Sequence, residues 1–201
     1  MPKQRITREM VVDAAFSIAR EQGMEQVLVK HIAARLGCSV QPIYSYCRNM
    51  EELRNAVAQR ACETVRREVA AHIDPDDRFR STGRAWLHVA KHEPQLFKLF
   101  LACRRQDVAS WEALYRTEAD LSVTEGIKER LGMDAGEAQQ LYLQMLVYTV
   151  GLGTIFAMTE IPPEEIFARQ EDAYEAFFRQ AAVRHTQKEE QKNAETNGHR
   201  L

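Results

Sequence analysis

Apolar side chains recur along this chain at helical spacing, and short polar breaks separate the stripes. Between Thr7 and Gly23, the residues Val11, Ala14, Ala15, Ile18 and Ala19 fall three and four positions apart, on one side of an α-helix. Thr7 is the expected N-cap, Glu9 sits in the first turn where the helix dipole favours an acid, and Gly23 closes the helix. Val29–Leu36 repeats the stripe through Ile32, Ala33 and Leu36, and Gly37 follows at once, the residue that best tolerates a left-handed helix end. Ser39 is placed to cap a third helix, Val40–Tyr46, with Ile43 and Cys47 turned inward. Asn49 or a neighbour then caps a long stretch to Ile73 that holds no Gly or Pro, roughly 36 Å at 1.5 Å per residue.

The remainder also reads as helix. Asp74-Pro75-Asp76-Asp77 is a break, Phe79–His92 the next helix, and Pro94–Arg105 another, with Leu96, Phe97, Phe100 and Leu101 as its stripe. Ser110 caps a predicted helix Trp111–Leu131 that Gly132 ends, Asp134 begins one reaching Met158, and Glu164–Val183 is the last. No run of alternating β-branched residues appears, so the expected fold is all-α. Leu141–Met158 is apolar on nearly every face, which fits a helix central to a core or shared with a partner chain. Residues 184–201 are polar without apolar spacing and are expected to be a frayed helix end and a disordered tail.

Two short helices joined by a Gly-containing turn, at Val29–Tyr46, form a helix-turn-helix, whose second helix is the one that enters a DNA major groove. Charge supports that use over a plain three-helix core. Residues 1–60 carry nine Lys and Arg against six Asp and Glu, while the whole chain has a net charge of −2. A basic head on an acidic body suits attraction to phosphates. Ser39, Val40, Gln41 and Pro42 begin the recognition helix and face base edges; Gln41 fits adenine, and Val40 or Pro42 fits a thymine methyl.

The motifs DAAFSIAREQG, HIAARLGCS, IYSYC and NMEEL, in that order and spacing over roughly residues 6–56, resemble the tetracycline-repressor (TetR) family of bacterial regulators. The resemblance implies a helix-turn-helix DNA-binding head (1–50), a helical effector-binding and dimerisation body (51–183) joined to it by a long helix, and a polar tail (184–201). It implies a homodimeric repressor of a palindromic double-stranded operator, switched by a small effector. Tyr44 matches the family's phosphate-contacting tyrosine; Ser45 and Tyr46 follow it, Lys30 matches a base- or phosphate-reaching position, and Arg48 and Asn49 lie at the entry to the long helix. Met50 departs from the pattern, standing where many members carry a phosphate-clamping Lys. The two C-terminal helices would pair with their twofold mates through Leu141, Tyr148, Leu152, Ile155, Ile166, Tyr174, Phe177 and Phe178. An effector pocket would involve Trp86, Phe97, Phe100, Cys103, Trp111, Tyr115, Met145 and Tyr148, a lining suited to an apolar or aromatic molecule.

Other chemistry is sparse. Four cysteines, Cys38, Cys47, Cys62 and Cys103, form no CxxC; Cys38 and Cys47 read as small buried apolar residues, and Cys103, beside Arg104 and Arg105, has a redox-sensor reading. His88 and His92 at i, i+4 have no acid to complete a metal set and are expected to be solvated or capping. No catalytic constellation, metal site or cofactor is expected. A helical-body enzyme, or an interaction protein without DNA binding, are the competing readings. Uninterrupted apolar runs are too short for a membrane span and the basic start has no signal-peptide core, so a cytoplasmic location is expected.

Overall fold

A computed structural model describes residues 6–46, 49–105 and 108–198. The described residues form α1 (Arg8–Gln22), a 3₁₀ turn (Met24–Gln26), α2 (Val29–Leu36), α3 (Val40–Tyr46), α4 (Met50–Ala71), α5 (Arg78–His92), α6 (Pro94–Leu101), α7 (Trp111–Glu118), α8 (Leu121–Leu131), α9 (Ala135–Met158) and α10 (Pro163–Gly198), with no strand among them. They fall into two compact units.

The first unit comprises Met1–Ala71, His88–Arg104 and Ala157–Thr159. Thr7 caps α1 by accepting from the Met10 amide at 3.2 Å, and Gly23, at φ +96°, donates back to Ala19 at 2.9 Å. The apolar stripe of α1 packs against α2, α3, α4 and α6. Val11, Ile32 and Ile43 are wholly buried there, with Val57 and Val65 of α4 and Leu96 and Phe97 of α6. Each such side chain contributes about 1.5–3 kcal/mol relative to exposure. The Cys62 thiol, also buried, faces the Phe100 carbonyl at 3.9 Å.

The second unit comprises His72–Leu87, Arg105–Phe156 and Glu160–Leu201. One of its clusters gathers Val123, Ile127, Met133, Leu141 and Tyr142; another gathers Leu87, Leu152, Phe156 and Ile166. Between α5, α9 and α10 lies a buried polar contact. The Gln170 amide donates to the Thr149 hydroxyl at 3.0 Å, and that hydroxyl lies 3.3 Å from Gln170 Oε1; both residues are 3% exposed. The amide sits against Gly83, where a Cβ would come within 2.1 Å of its nitrogen, so position 83 admits no side chain unless Gln170 moves.

Four expectations need correction. Trp111–Leu131 is two helices, because the Asp120 carboxylate accepts from the Ser122 amide at 2.9 Å and starts α8 afresh, with Ala119 extended. The Glu118 carbonyl freed by the break accepts from the Tyr142 hydroxyl at 3.0 Å, and burial pushes that phenol up to about 12, so it remains a donor. Pro94–Arg105 ends at Leu101, where the Ala102 amide closes onto the Lys98 carbonyl. Residues 184–198 are not a disordered tail but continue α10. His185 meets Glu137 at 2.9 Å, and Lys188 meets Asp134 at 2.7 Å and Glu137 at 3.2 Å, which anchors a Gln-, Lys- and Glu-rich segment of good helix propensity. Finally, α9 is long and apolar enough by length and composition to cross a bilayer, which counting uninterrupted runs does not reveal; here Leu141, Tyr142, Met145 and Leu152 pack into the unit's core.

Candidate nucleic-acid interface

The turn between α2 and α3 is fixed by Gly37. At φ +63° and ψ +33° it is left-handed, its amide donates to Ala34 at 3.2 Å, and the Cys38 amide donates to Ala33 at 3.0 Å. This pair of bonds satisfies the last carbonyls of α2 and turns the chain sharply into α3. Ile43, fully buried, pins α3 to the head, so the opposite face of this short helix points outward. Val40, Gln41, Tyr44, Ser45 and Tyr46 are exposed there, Pro42 is half-buried, Lys30 is exposed in the first turn of α2, and Ser39 is exposed just before α3 begins. Tyr44, at 58% exposure, is a large aromatic left in solvent with a hydroxyl at its tip, an arrangement with no value to the core.

The head's charges divide into committed and available ones. Arg35 forks onto Glu21 at 2.6 and 2.7 Å, tying α2 to α1, and Arg60 meets Asp13 at 2.6 Å. The Arg35 guanidinium holds the Glu21 carboxyl below its ordinary range. Lys30 makes no ion pair among the described residues. Asn49 is committed, since its side-chain oxygen accepts from the Glu51 amide at 2.8 Å and caps α4. Met50 is half-buried, and Arg48 and Cys47 lie outside the described residues. Two features escaped the sequence reading. The 3₁₀ turn before α2 is held by His31, whose Nδ1 lies 2.8 Å from the Gln26 carbonyl, and the Arg35–Glu21 fork spans fourteen positions; neither spacing is a local helix signal.

The residues expected around an effector are divided between the two units. Phe97 and Phe100 are buried in the first unit, and Cys103, half-buried, ends it. In the second unit, Trp86 and Met145 line an internal space of about 20 Å³, with Thr82, Tyr142 and Thr149 around it. That is room for about one water. Trp111, 64% exposed, lines an open groove with Val147, Tyr148 and Phe177. Tyr115 donates to Thr124 at 2.7 Å. Cys38 is half-buried rather than buried.

The expected dimer residues also divide. Leu141, Leu152, Ile166 and Tyr174 are buried within the single chain. Tyr174 lies between Phe79 and Phe178, at 5.3 and 5.5 Å between ring centroids. Tyr148 and Phe177 are half-buried and meet edge to face at 5.8 Å, while Ile155 is exposed, as is Val147 two turns earlier on α9. A helix apolar all round carries no direction in its sequence, so periodicity could not say which side the chain itself covers. His92 Nδ1 lies 2.9 Å from the His88 carbonyl, and no cluster of three candidate metal ligands occurs among the described residues.

Comparison with known proteins agrees with this geometry. Residues 11–57, from α1 into α4, match the family described as bacterial regulatory proteins, tetR family. An uncharacterized HTH-type transcriptional regulator of Mycobacterium tuberculosis, Rv0681, is 25% identical over 99 residues, which take in 48% of this chain and 45% of that protein. The match thus spans less than half of the relative's length. A TetR-like transcriptional regulator from Rhodococcus sp. RHA1 has a TM-score of 0.58 at 16% identity, over 85% of this chain and 95% of its own. BioQ with its double-stranded DNA operator has a TM-score of 0.53 at 17% identity, over 84% and 98%. At these identities the structures establish the shared fold. With an outward-facing α3 on a Gly37 turn and the family match lying over that head, residues 11–57 form a helix-turn-helix head similar to that of the tetR family of bacterial regulatory proteins.

Proposed function

We propose that this protein is a repressor that binds a palindromic operator as a homodimer in the bacterial cytoplasm, and that a small molecule held in its helical body switches the binding. The observation that carries the reading is α3: Ile43 faces inward and Val40, Gln41, Tyr44 and Ser45 face solvent at the start of a helix with a rigid entry. In this reading Gln41 pairs with an adenine edge, Val40 and Pro42 touch a thymine methyl, and Tyr44, Tyr46, Ser39 and Lys30 hold phosphates. One helix of seven residues contacts few base pairs, so two heads spaced about 34–36 Å apart are needed for specificity. BioQ, a relative in fold, is described with its operator.

Pairing through α9 is supported by its exposed stripe. Val147, Gly151 and Ile155 recur every four residues on one face, and a Cβ at Gly151 would meet nothing within 4 Å. An apolar or aromatic effector is supported by the open groove of about 530 Å³ beside Trp111 and Tyr148, which no charged residue lines. Such a ligand represses or releases only through different affinities for two head spacings.

The test is anisotropy of labelled duplexes drawn from the DNA flanking the coding region, against scrambled duplexes, over rising salt. A palindromic duplex should bind far more tightly than its scramble, with log affinity falling linearly in log salt. Equal affinity for both across the salt range would overturn the reading.

A further inference from the structure

An open cleft of about 760 Å³ lies between the segment entering α5, α8 and α10, all within the second unit. It is large enough for a drug-sized molecule. Its floor is aromatic: Phe79, Tyr174 and Phe178, with Tyr174 and Phe178 stacked at 22° between planes.

A side chain of the protein already occupies this floor. The Arg130 guanidinium carbon lies 5.2 Å from the Phe178 centroid, Nη1 is 3.4 Å from the Tyr174 hydroxyl, and the Asp77 carboxylate is 3.7 Å away. A planar cation is thus held by a ring face with a carboxylate beside it. The hold is weak, for Arg130 is 59% exposed, its one hydrogen bond is long, and its ion pair is beyond hydrogen-bond reach. Arg80 differs: it lies 4.5 Å over Tyr174 but is committed to Glu171 at 2.8 Å.

Two further observations point the same way. The lining carries four carboxylates, Asp76, Asp77, Glu125 and Glu129, against the guanidiniums of Arg78 and Arg130; Glu125 is paired with Lys128 at 2.8 Å, and the other three still outnumber the two cations. The α8 wall is bare at Gly126, where a Cβ would meet nothing within 4 Å. A glycine inside a helix costs about 1 kcal/mol relative to alanine, and no packing here requires it; bare backbone lets a ligand approach closely.

We infer that this cleft binds a planar aromatic cation, of the amidinium or guanidinium class, which displaces Arg130 from the face of Phe178 and takes Asp77 as its counter-ion. The inference goes beyond the effector reading above, because it concerns binding alone and stands whether or not DNA affinity responds.

The test is calorimetric titration of the full chain with benzamidine, and with benzamide and benzoate as neutral and anionic analogues of the same shape. Benzamidine should saturate at one per chain and bind at least about tenfold more tightly than either analogue. Asp77→Asn should weaken it by about tenfold, whereas Arg130→Ala, which removes the internal competitor, should tighten it severalfold. Gly126→Leu should block binding while leaving circular dichroism and melting temperature intact. Since loss of fold never tightens binding, the Arg130→Ala arm separates a site from a structural effect. Benzoate or benzamide binding as well as benzamidine, or a folded Arg130→Ala protein that binds no more tightly, would overturn the inference.

Discussion

Arg20, in the last turn of α1, forks its guanidinium onto the carboxylate of Glu93, the residue that leads into α6, with bonds of 3.0 and 2.5 Å. The helix that braces the recognition unit is thereby tied to a residue 73 positions away in sequence but in the same compact unit. Glu93 holds the guanidinium charged by hydrogen bonding, against a smaller opposing cost of burial. Both side chains are about one-third exposed, so solvent screens much of the attraction.

A double-mutant cycle of Arg20→Ala and Glu93→Ala should therefore give a coupling of about 0.5–1 kcal/mol in urea melts, shrinking as salt is added. Arg20→Lys should recover less than half of it, because an ammonium cannot form the two-bond fork. No measurable coupling at low salt would show that the fork is ornamental to stability.

Gly37→Ala should destabilise the head by about 1–2 kcal/mol, and Gly37→Asn by less. The space beside Gly37 is empty, so the loss comes from the left-handed backbone and not from a clash. A neutral Gly37→Ala in chemical denaturation would refute the strain argument.

Within the proposed DNA contacts, Gln41→Ala should cost about 1–3 kcal/mol and relax preference at one base position. Tyr44→Phe removes only a hydroxyl from an exposed ring and should weaken all sequences alike, leaving the fold untouched. Selection from a randomised operator library distinguishes them; a uniform loss on Gln41→Ala would move that residue to the phosphate contacts.

Val147→Glu with Ile155→Glu should yield a folded monomer, since both positions are exposed in the single chain. Leu152→Glu should instead unfold the second unit, because Leu152 is packed against Leu87, Phe156 and Ile166. Sedimentation with circular dichroism on the three proteins reads the difference. A wild-type monomer at micromolar concentration would end the pairing proposal.

The continuation of α10 past Val183 should depend on pH. Hydrogen bonding from Lys188 and the Glu137 amide holds the Asp134 carboxyl below its ordinary range. For Glu137, burial pushes upward, but the Asp134 amide, Lys188 and His185 together bring it down. Carboxyls lowered in the folded state stabilise it above their unfolded values, about pH 4, and lose that contribution as pH falls through the folded ones. The Lys188 amine is raised by Asp134 and Glu137, so its contribution is present below its unfolded value and is lost as pH rises through the folded one. Amide exchange around residues 184–192 should accordingly be slow from about pH 5 to 10 after correction for intrinsic rates, and Lys188→Ala should flatten the profile. An unchanged profile in that variant would discard the anchor.

Much of the head was legible because its signals are local. Thr7, Gly23, Gly37 and Asn49 each act within a few residues, and each does in the structure what its chemistry predicts. The break at Asp120 was missed since neither Gly nor Pro marks it; the carboxylate competes for the backbone only because Tyr142 takes the vacated carbonyl. The end of α10 was misjudged for a similar reason, as its anchors, Asp134 and Glu137, lie some fifty residues earlier. Aromatic residues of the body were legible as buried or not only in aggregate: Trp86 is in the core and Trp111 in solvent, though both read as pocket candidates. The aromatic cleft under Arg130 was invisible, because it is assembled from three segments whose own periodicities point to ordinary packing.

The Gln170–Thr149 contact over Gly83 sets a limit on how the second unit can move. A slip of α10 by one turn shifts its side chains by about 5.4 Å, which would leave a buried amide and hydroxyl unpaired at about 1–3 kcal/mol each. The side chains that replaced Gln170 would also have to clear a glycine surface shaped to one amide. Sliding of α10 along its axis is thus opposed at this one point, and a ligand that rearranges the second unit at the cost of the Gln170–Thr149 contact has to recover those few kcal/mol elsewhere.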